Sequence, residues 1–308
     1  MATDSPQAPA KSHPSGRKQL EFSTSDDLQK LLVEIFESPE YRPPVFPSVA
    51  LEVAALTRKA NASMEEFVAV LQKDPLIVAS VLKLAQSALY GSRPQSLQNA
   101  LQRLGMNTLR DIVWQVAASQ RLFNVQGYLP LMNRVRTHSI FCAHASRMLA
   151  IRAGLAAEHA FLCGLLHDMG ISGILIALAE AGSPPPPLTM LMTAIDAVHE
   201  RAGEAMASIW RLAPEIGGAI RYHHQYELDV QHVSVLSAVI CVAEELAEQN
   251  GYGVSAPSSV GSRGVRFDVQ APFRLEHALK RLRLQNKLED LASRGKELAE
   301  QLRPIMNG

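Results

Sequence analysis

Apolar residues recur at helical spacing through most of this chain. Between residues 26 and 249 there is no sustained alternation of apolar and polar residues with the period of two that strands require. Helix-start signals support the same conclusion: Ser63 and Glu66 form a capping box, and Asp74 precedes Pro75 as an N-cap followed by proline at the first helical position. The sequence therefore predicts an all-α fold, a multi-helix domain with an N-terminal helical subdomain.

Composition divides the chain into four segments. The start is rich in Pro, Ser, Ala and Lys, and a later stretch is rich in Gly, Ser and Val, so neither is expected to pack as a helix. The predicted segments are a disordered leader at residues 1–24, a domain at 25–250 (parts 25–126 and 127–250), a linker at 251–271, and a C-terminal amphipathic helix at 272–308.

Individual helices are predicted from the apolar spacing and the turn residues. Gly105 is expected to end one short helix and Asn107 to start the next. The C-terminal helix has one apolar face, which either packs on the domain or serves as a dimer or partner interface; its pattern does not distinguish the two. The predicted helices are at about 26–37, 63–71, 74–89, 96–104, from 107, 130–151, 157–168, 188–211, 214–224, 232–249 and 273–303.

The charge balance and the cysteines exclude several classes of protein. Lys plus Arg and Asp plus Glu both number 30, so the chain lacks the basic excess of a nucleic-acid binder, and no direct nucleic-acid binding is expected. No stretch approaches the roughly 20 apolar residues of a membrane helix. Arg93, Arg103 and Arg110 are interpreted as a solvated helix surface rather than an anion-binding face. Three cysteines without a CxxC pair favour buried thiols in a reducing, cytoplasmic setting: Cys142, Cys163 and Cys241.

One adjacent His–Asp pair is the strongest chemical signal. His167 and Asp168 end an apolar helix, with Gly170 two residues later. An imidazole and a carboxylate at a helix end can both reach one metal ion, and these donors suit Mn, Fe or Zn. Successive antiparallel helices would bring further donors to the same pocket, as in a dinuclear hydrolase. Those further donors are His138, His199, His223, His224 and Glu244.

Several motifs in order resemble known families. His138, His167-Asp168 and a later carboxylate resemble the HD phosphohydrolase superfamily, and His199 with His223-His224 resembles its HD-GYP subgroup of cyclic-di-GMP phosphodiesterases. The first half resembles the HDOD branch over about residues 40–250. The segments that carry this resemblance are Pro44 to Pro47, Asp74-Pro75, Leu82 to Gly91 and Asn99 to Gly105. The HDOD resemblance implies a non-catalytic output or scaffold module in bacterial signalling.

Departures from the catalytic pattern support that implication. Ile171 stands where catalytic relatives usually have a lysine, the Gly-Tyr-Pro motif is missing after His224, and Glu244 replaces the late aspartate. We therefore expect no catalytic residue, and a degenerate site that forms a buried polar network. Its residues are His138, His167, Asp168, His199, His223 and His224. The alternative is a divalent metal, Mn, Fe or Zn, held by His138, His167, Asp168 and Glu244.

Three functional hypotheses remain open from the sequence. The first is a protein–protein interaction or ligand-sensing module without catalysis, whose partners the resemblance suggests to be a diguanylate cyclase, a response regulator or a kinase. The second is a metal-dependent phosphohydrolase acting on a nucleotide or a cyclic dinucleotide. The third is a nucleotide receptor without hydrolysis. A cytoplasmic location and no membrane partner are expected, and a homodimer is left open.

Overall fold

The computed structural model describes residues 22–57, 59, 61–90, 94–181, 184–225, 234–254 and 271–306. Within these ranges the regular elements are helices, so the all-α prediction is confirmed. Short 3-10 turns lie at Ala88–Tyr90 and Gln285–Lys287. The α-helices are α1 Ser25–Glu37, α2 Ser48–Thr57, α3 Met64–Leu71, α4 Pro75–Ala85, α5 Leu97–Arg121, α6 Leu129–Ala153, α7 Ala157–Leu166, α8 Met169–Glu180, α9 Leu188–Ile209, α10 Pro214–Arg221, α11 Val235–Gln249, α12 Ala271–Arg281 and α13 Leu288–Met306.

The predicted helix boundaries follow the capping residues. Ser63 and Glu66 form the capping box of α3, and the Asp74 side chain accepts from the first backbone N–H groups of α4. Gly105 interrupts α5 with a positive φ of 77°, which places the predicted break inside one long element. The pattern overlooked two helices, α2 and α8. Helix α8 is buried along most of its length, so it lacks the polar face that gives an amphipathic period.

Helix α6 is central to the packing of the second half. It contacts α7 and α11, while α8 packs on α9 and α9 in turn contacts α1 and α10. Helices α2, α3 and α4 pack on α5. The described apolar residues form one continuous core.

A buried polar link joins α5 to α6. Asp111 on α5 is buried, accepts from Arg110 Nε at 3.0 Å and Nη2 at 2.6 Å, and pairs through its other oxygen with Arg147 on α6. His144 lies beside this pair and bonds Gln115 Oε1 at 3.2 Å, and burial together with Arg147 lowers the pKa of His144 to about 3. The interpretation of Arg110 as solvated was wrong, since it is only 5% exposed. Arg93 lies outside the described residues.

The C-terminal region contains two helices where one was predicted. The break lies at Arg283, whose φ of 58° is left-handed. Leu284 N–H bonds Leu279 O at 2.8 Å and Arg283 N–H bonds Lys280 O at 3.0 Å, the pattern that ends a helix with a chain reversal. Leu279 and Leu284 are both buried and hold this turn closed. Because the turn uses arginine rather than glycine, the sequence carries no signal for it.

Helix α13 packs on the domain. It contacts α6 and α11, and its apolar face buries Leu291, Ala299, Leu302 and Met306. Of the predicted linker, residues 251–254 lie in the described part and 255–270 lie outside it. The predicted leader lies outside it up to residue 21, and Thr24 caps α1.

One segment has the length and apolar composition of a membrane span, contrary to the sequence-based expectation. Residues Ala157–Glu180 reach a mean hydropathy of 1.8 in an 18-residue window, and 89% of that window is buried inside the domain. The segment comprises α7 and α8, interrupted at His167 and Asp168. Its apolar character is therefore that of helices buried in the core of the domain.

The buried link predicts a large stability effect. Removing the carboxylate in Asp111→Ala leaves Arg110 buried without its partner, so the free energy of unfolding should fall by about 3–5 kcal/mol. Urea denaturation measures this. The control is Asp290→Ala, which removes a half-exposed carboxylate paired with Arg294 and Arg152 at the surface and should change stability little. Equal stability of the two variants would contradict the assignment.

Candidate functional site

The predicted site residues come together where six helices of the second half meet, α6 to α11. His138 lies on α6, His167 and Asp168 join α7 to α8, and His199 lies on α9. His223 and His224 follow the end of α10, and Glu244 lies on α11. The structure brings all seven into one cluster, with five of them almost fully buried: His138, His167, Asp168, His199 and His223.

Two glycines allow the helices to approach closely enough for this cluster. A Cβ built on Gly164 of α7 would fall on the carbonyl oxygen of Cys142 in α6. A Cβ built on Gly170 of α8 would fall on the carbonyl oxygen of His199 in α9. These backbone-to-backbone contacts set the spacing between the helices that carry His138, His167 and His199.

The four buried histidines share one hydrogen-bonding pattern. In each ring, Nδ1 lies 2.7–3.0 Å from a backbone carbonyl oxygen. A carbonyl can only accept, so Nδ1 carries the proton, and in the neutral ring Nε2 presents a lone pair. The carbonyl partners are Tyr252 for His138, Gly164 for His167, Ile195 for His199 and Ile220 for His223.

The four Nε2 atoms converge on the Asp168 carboxylate. Oδ2 is 3.6 Å from His138 Nε2 and 3.4 Å from His167 Nε2. Oδ1 is 3.6 Å from His199 Nε2 and 3.5 Å from His223 Nε2. Asp168 is 0% exposed, and neither oxygen makes a hydrogen bond to any residue that the structure describes. The cluster thus forms two sets of donors, one around each carboxylate oxygen.

This arrangement needs a positive charge at its centre. A buried carboxylate without hydrogen bonds carries a large desolvation cost, and the lone pairs facing it add repulsion. Divalent ions would satisfy both, one at each carboxylate oxygen, and imidazole with carboxylate suits Zn, Mn or Fe. The residues therefore fit a metal centre, and the Nδ1 carbonyl contacts are the outer contacts that orient metal-binding histidines.

A proton is the alternative positive charge. Burial alone would raise the pKa of Asp168, but His167 and the neighbouring imidazoles hold it well below its usual range. Burial would lower the pKa of His167, yet Asp168, Glu244 and the Gly164 carbonyl together raise it. Burial and the adjacent His167 lower the pKa of His138 to about 4. Without metal, His167 would thus hold the proton beside an ionised Asp168.

One edge of the cluster is partly open to solvent. Glu244 Oε1 is 3.8 Å from His167 Nε2, and its Oε2 is 3.8 Å from His224 Nδ1. The Glu244 side chain is 13% exposed and the His224 side chain 19% exposed. Glu200 accepts from the His224 backbone N–H at 3.2 Å and from Gln225 at 2.9 Å, and it lies 3.6 Å from Arg221.

Sequence reasoning missed two residues that contact the site, Tyr252 and Glu200. Tyr252 acts through its backbone carbonyl, which no residue type signals. Glu200 follows the site residue His199 directly, so its place in the sequence could have indicated that it lies near the site. Ile171, which stands where catalytic relatives usually have a lysine, is buried in α8.

Comparison with known proteins decides the family. A family model described as the HDOD domain matches residues 44–226, more than half of the chain. The chain belongs to the HDOD family. The family assignment made from the motifs is confirmed, although α11, α12 and α13 lie beyond the matched residues.

Comparison by sequence and by structure finds relatives of this HDOD protein. An uncharacterized protein of Treponema pallidum (strain Nichols) is 28% identical over 195 residues, 59% of this chain and 37% of that protein. The chain thus matches little more than a third of that relative's length. A candidate metal-dependent phosphohydrolase of Shewanella amazonensis SB2B has a TM-score of 0.69 at 23% identity, covering 92% of this chain and 99% of that one.

Two further solved structures agree. An HDOD domain protein of unknown function from Geobacter sulfurreducens has a TM-score of 0.61 at 22% identity, covering 89% of this chain and 98% of that one. A candidate signal transduction protein of Marinobacter aquaeolei VT8 has a TM-score of 0.63 at 20% identity, covering 92% of this chain and 65% of that one. At these identities the structures establish the fold, and they do not transfer activity.

The close approach of α8 and α9 predicts the effect of a single methyl group. Gly170→Ala should force the two helices apart and separate His199 from Asp168, lowering the free energy of unfolding by about 3 kcal/mol, at the upper end for overpacking. The control is Gly217→Ala on α10, where the added Cβ meets only the Ala207 Cβ at 3.9 Å. This control should be neutral or stabilising. If urea denaturation finds Gly170→Ala as stable as wild type, the packing account is wrong.

Proposed function

We propose that this HDOD protein is a regulatory module with a divalent-metal centre, which binds its ligand or partner without turning a substrate over. The observation that carries the proposal is the buried Asp168 carboxylate, which makes no hydrogen bond within the described part of the chain and is faced by four imidazole Nε2 atoms within 3.6 Å. His138 and His167 would hold a metal at one oxygen, with Glu244 beside them. His199, His223 and His224 would hold one at the other.

Burial argues against hydrolysis. A catalytic metal keeps a position open to water or substrate, whereas a structural metal is closed off by its ligands. The five central residues are almost fully buried, and the described cluster is open only along the edge formed by His224 and Glu244. The position of the catalytic lysine is Ile171, which cannot hold a phosphate. A closed metal site that offers no lysine to a phosphate is suited to stabilising one arrangement of the helices.

A metal-dependent phosphohydrolase is the second candidate. It is favoured by the completeness of the donor set, in which Glu244 lies within 3.8 Å of His167. Bound divalent ions would activate water and stabilise charge on a phosphate, which fits a nucleotide or a cyclic dinucleotide as substrate. A nucleotide receptor without hydrolysis is a third candidate, and a nucleotide-binding titration distinguishes it from an interaction module.

The regulatory role implies protein partners. Family membership and the likeness to a candidate signal transduction protein support a place in bacterial signalling. We infer that the partner is a signalling protein such as a diguanylate cyclase, a response regulator or a kinase, in the cytoplasm.

Metal binding is tested by thermal unfolding of chelator-treated protein with added Mn²⁺, Fe²⁺ or Zn²⁺. Wild type should gain about 2.7 kcal/mol of stability at a metal concentration 100 times the Kd, and Asp168→Asn should lose this gain. Asp26→Asn, which changes an exposed carboxylate in the first turn of α1, is the matched control and should respond like wild type. A wild type that responds to none of the three ions, or an Asp168→Asn variant that responds fully, contradicts the metal centre.

Turnover is tested on the metal-loaded protein with a cyclic dinucleotide and a generic chromogenic phosphodiester. The regulatory proposal predicts no hydrolysis above the buffer rate for either compound. Metal-dependent hydrolysis that disappears in His167→Ala would instead establish the phosphohydrolase.

A further inference from the structure

His138 differs from the other three buried histidines in where its carbonyl partner comes from. His167, His199 and His223 each bond a carbonyl three or four residues earlier in their own segment, so local helix geometry orients these rings. His138 Nδ1 instead bonds the carbonyl of Tyr252 at 2.9 Å, 114 residues later. The orientation of His138 therefore depends on a distant part of the chain.

The turn after α11 presents this carbonyl. Gly251 has a positive φ of 80°, its N–H bonds Glu248 O at 3.1 Å, and the Tyr252 N–H bonds Ala247 O at 2.8 Å. This is a helix-ending turn that glycine adopts without strain. The Tyr252 ring stacks on Phe141 of α6, with ring centroids 5.1 Å apart. The turn thus sets both the ring and the carbonyl of Tyr252 against α6.

Helix α13 supports the turn from the other side. The Tyr252 hydroxyl donates to Ala299 O at 3.4 Å, and a Cβ built on Gly295 would lie 3.1 Å from Asn250 Nδ2. Arg136, two residues before His138 on α6, donates to Met306 O at 2.8 Å. Helix α13 therefore contacts both components of the His138 bond, namely α6 and the turn.

We propose that α13 is a positioning element for the site, which holds the Tyr252 carbonyl on His138 and so couples metal binding to the docking of the C-terminal helix. This inference rests on the metal-binding role proposed above. Because coupling between two sites is reciprocal, metal should tighten the docking of α13, and release of α13 should weaken the metal. A partner that displaces α13 would thereby change the state of the site.

Two variants test the coupling from different sides. Gly251→Ala strains the turn without adding a clash among the described residues, none of which has an atom within 4 Å of the new Cβ. Gly295→Leu pushes α13 away from Asn250. Because leucine favours helix formation more than glycine, the variant should weaken the docking of α13 without unfolding the helix itself. Loss of an outer contact to a metal-binding histidine typically weakens metal affinity about 10- to 100-fold, and both variants should show this.

Each variant has a matched control. Gly154→Ala makes the same change in the same kind of turn at the far end of α6, where φ is 68° and no described residue has an atom within 4 Å of the new Cβ. Ser293→Leu places leucine on the exposed face of α13. Both controls should keep wild-type metal affinity, measured by titration with Mn²⁺ or Zn²⁺ into chelator-treated protein.

A metal-free measurement keeps this inference separate from the proposed function. Nitrogen-15 NMR of the imidazole rings reports which nitrogen of His138 carries the proton, with the signals assigned from His138→Asn. Wild type and both controls should hold the proton on Nδ1, whereas Gly251→Ala and Gly295→Leu should show a mixture of tautomers. If α13 amides exchange freely in Gly295→Leu and His138 still keeps a single Nδ1 proton, the coupling is overturned. A wild type that binds no metal overturns the proposed function, while the tautomer result still decides the role of α13.

Discussion

The buried carboxylate of Asp168 and the four imidazole nitrogens around it are the constraint on which the second half of the molecule depends. A carboxylate without hydrogen bonds in the core is tolerated only if positive charge lies against it. The surrounding structure supplies the geometry for that charge. Gly164 and Gly170 bring the helices close, and four carbonyl groups direct each Nε2 atom inward. The core is thus organised around a site that protons or metal ions complete.

The sequence predicted the parts of this arrangement that residue type encodes. The adjacent His167 and Asp168, and the histidines spaced one per helix, indicated a shared cluster, and the caps at Ser63 and Asp74 located helix starts. Features encoded by burial or by the backbone were not predictable. Helix α8 lacks an amphipathic period because it is buried, and the turn at Arg283 uses no glycine. Asp111 and Arg110 are adjacent charged residues, a pattern typical of a solvated surface. Their burial depends on the pairing of Asp111 with Arg147 of α6, which the sequence does not signal.

Two properties of the site favour different functions. The full set of metal ligands favours a hydrolase, whereas the lack of access for a substrate favours a regulatory module. The donor set around Asp168 is as full as a dinuclear hydrolase requires, whereas the burial of the five central residues and Ile171 disfavour a phosphate substrate. A metal held in a closed site can still act as a signal, because its binding energy stabilises one arrangement of the helices. The Tyr252 carbonyl extends that arrangement to α13, beyond the residues matched by the family model. The C-terminal helix is therefore the element through which the state of the site would reach a partner.

Anomalous X-ray diffraction from crystals of the protein purified without chelators tests the central claim most directly. The account predicts anomalous density at two positions, one between Asp168 Oδ2 and the Nε2 atoms of His138 and His167, the other between Oδ1 and those of His199 and His223. Crystals soaked in Mn²⁺ or Zn²⁺ that show no anomalous density at either position, with Asp168 accepting a hydrogen bond from a protonated His167, would contradict it. The cluster would then be a buried polar network stabilised by a proton.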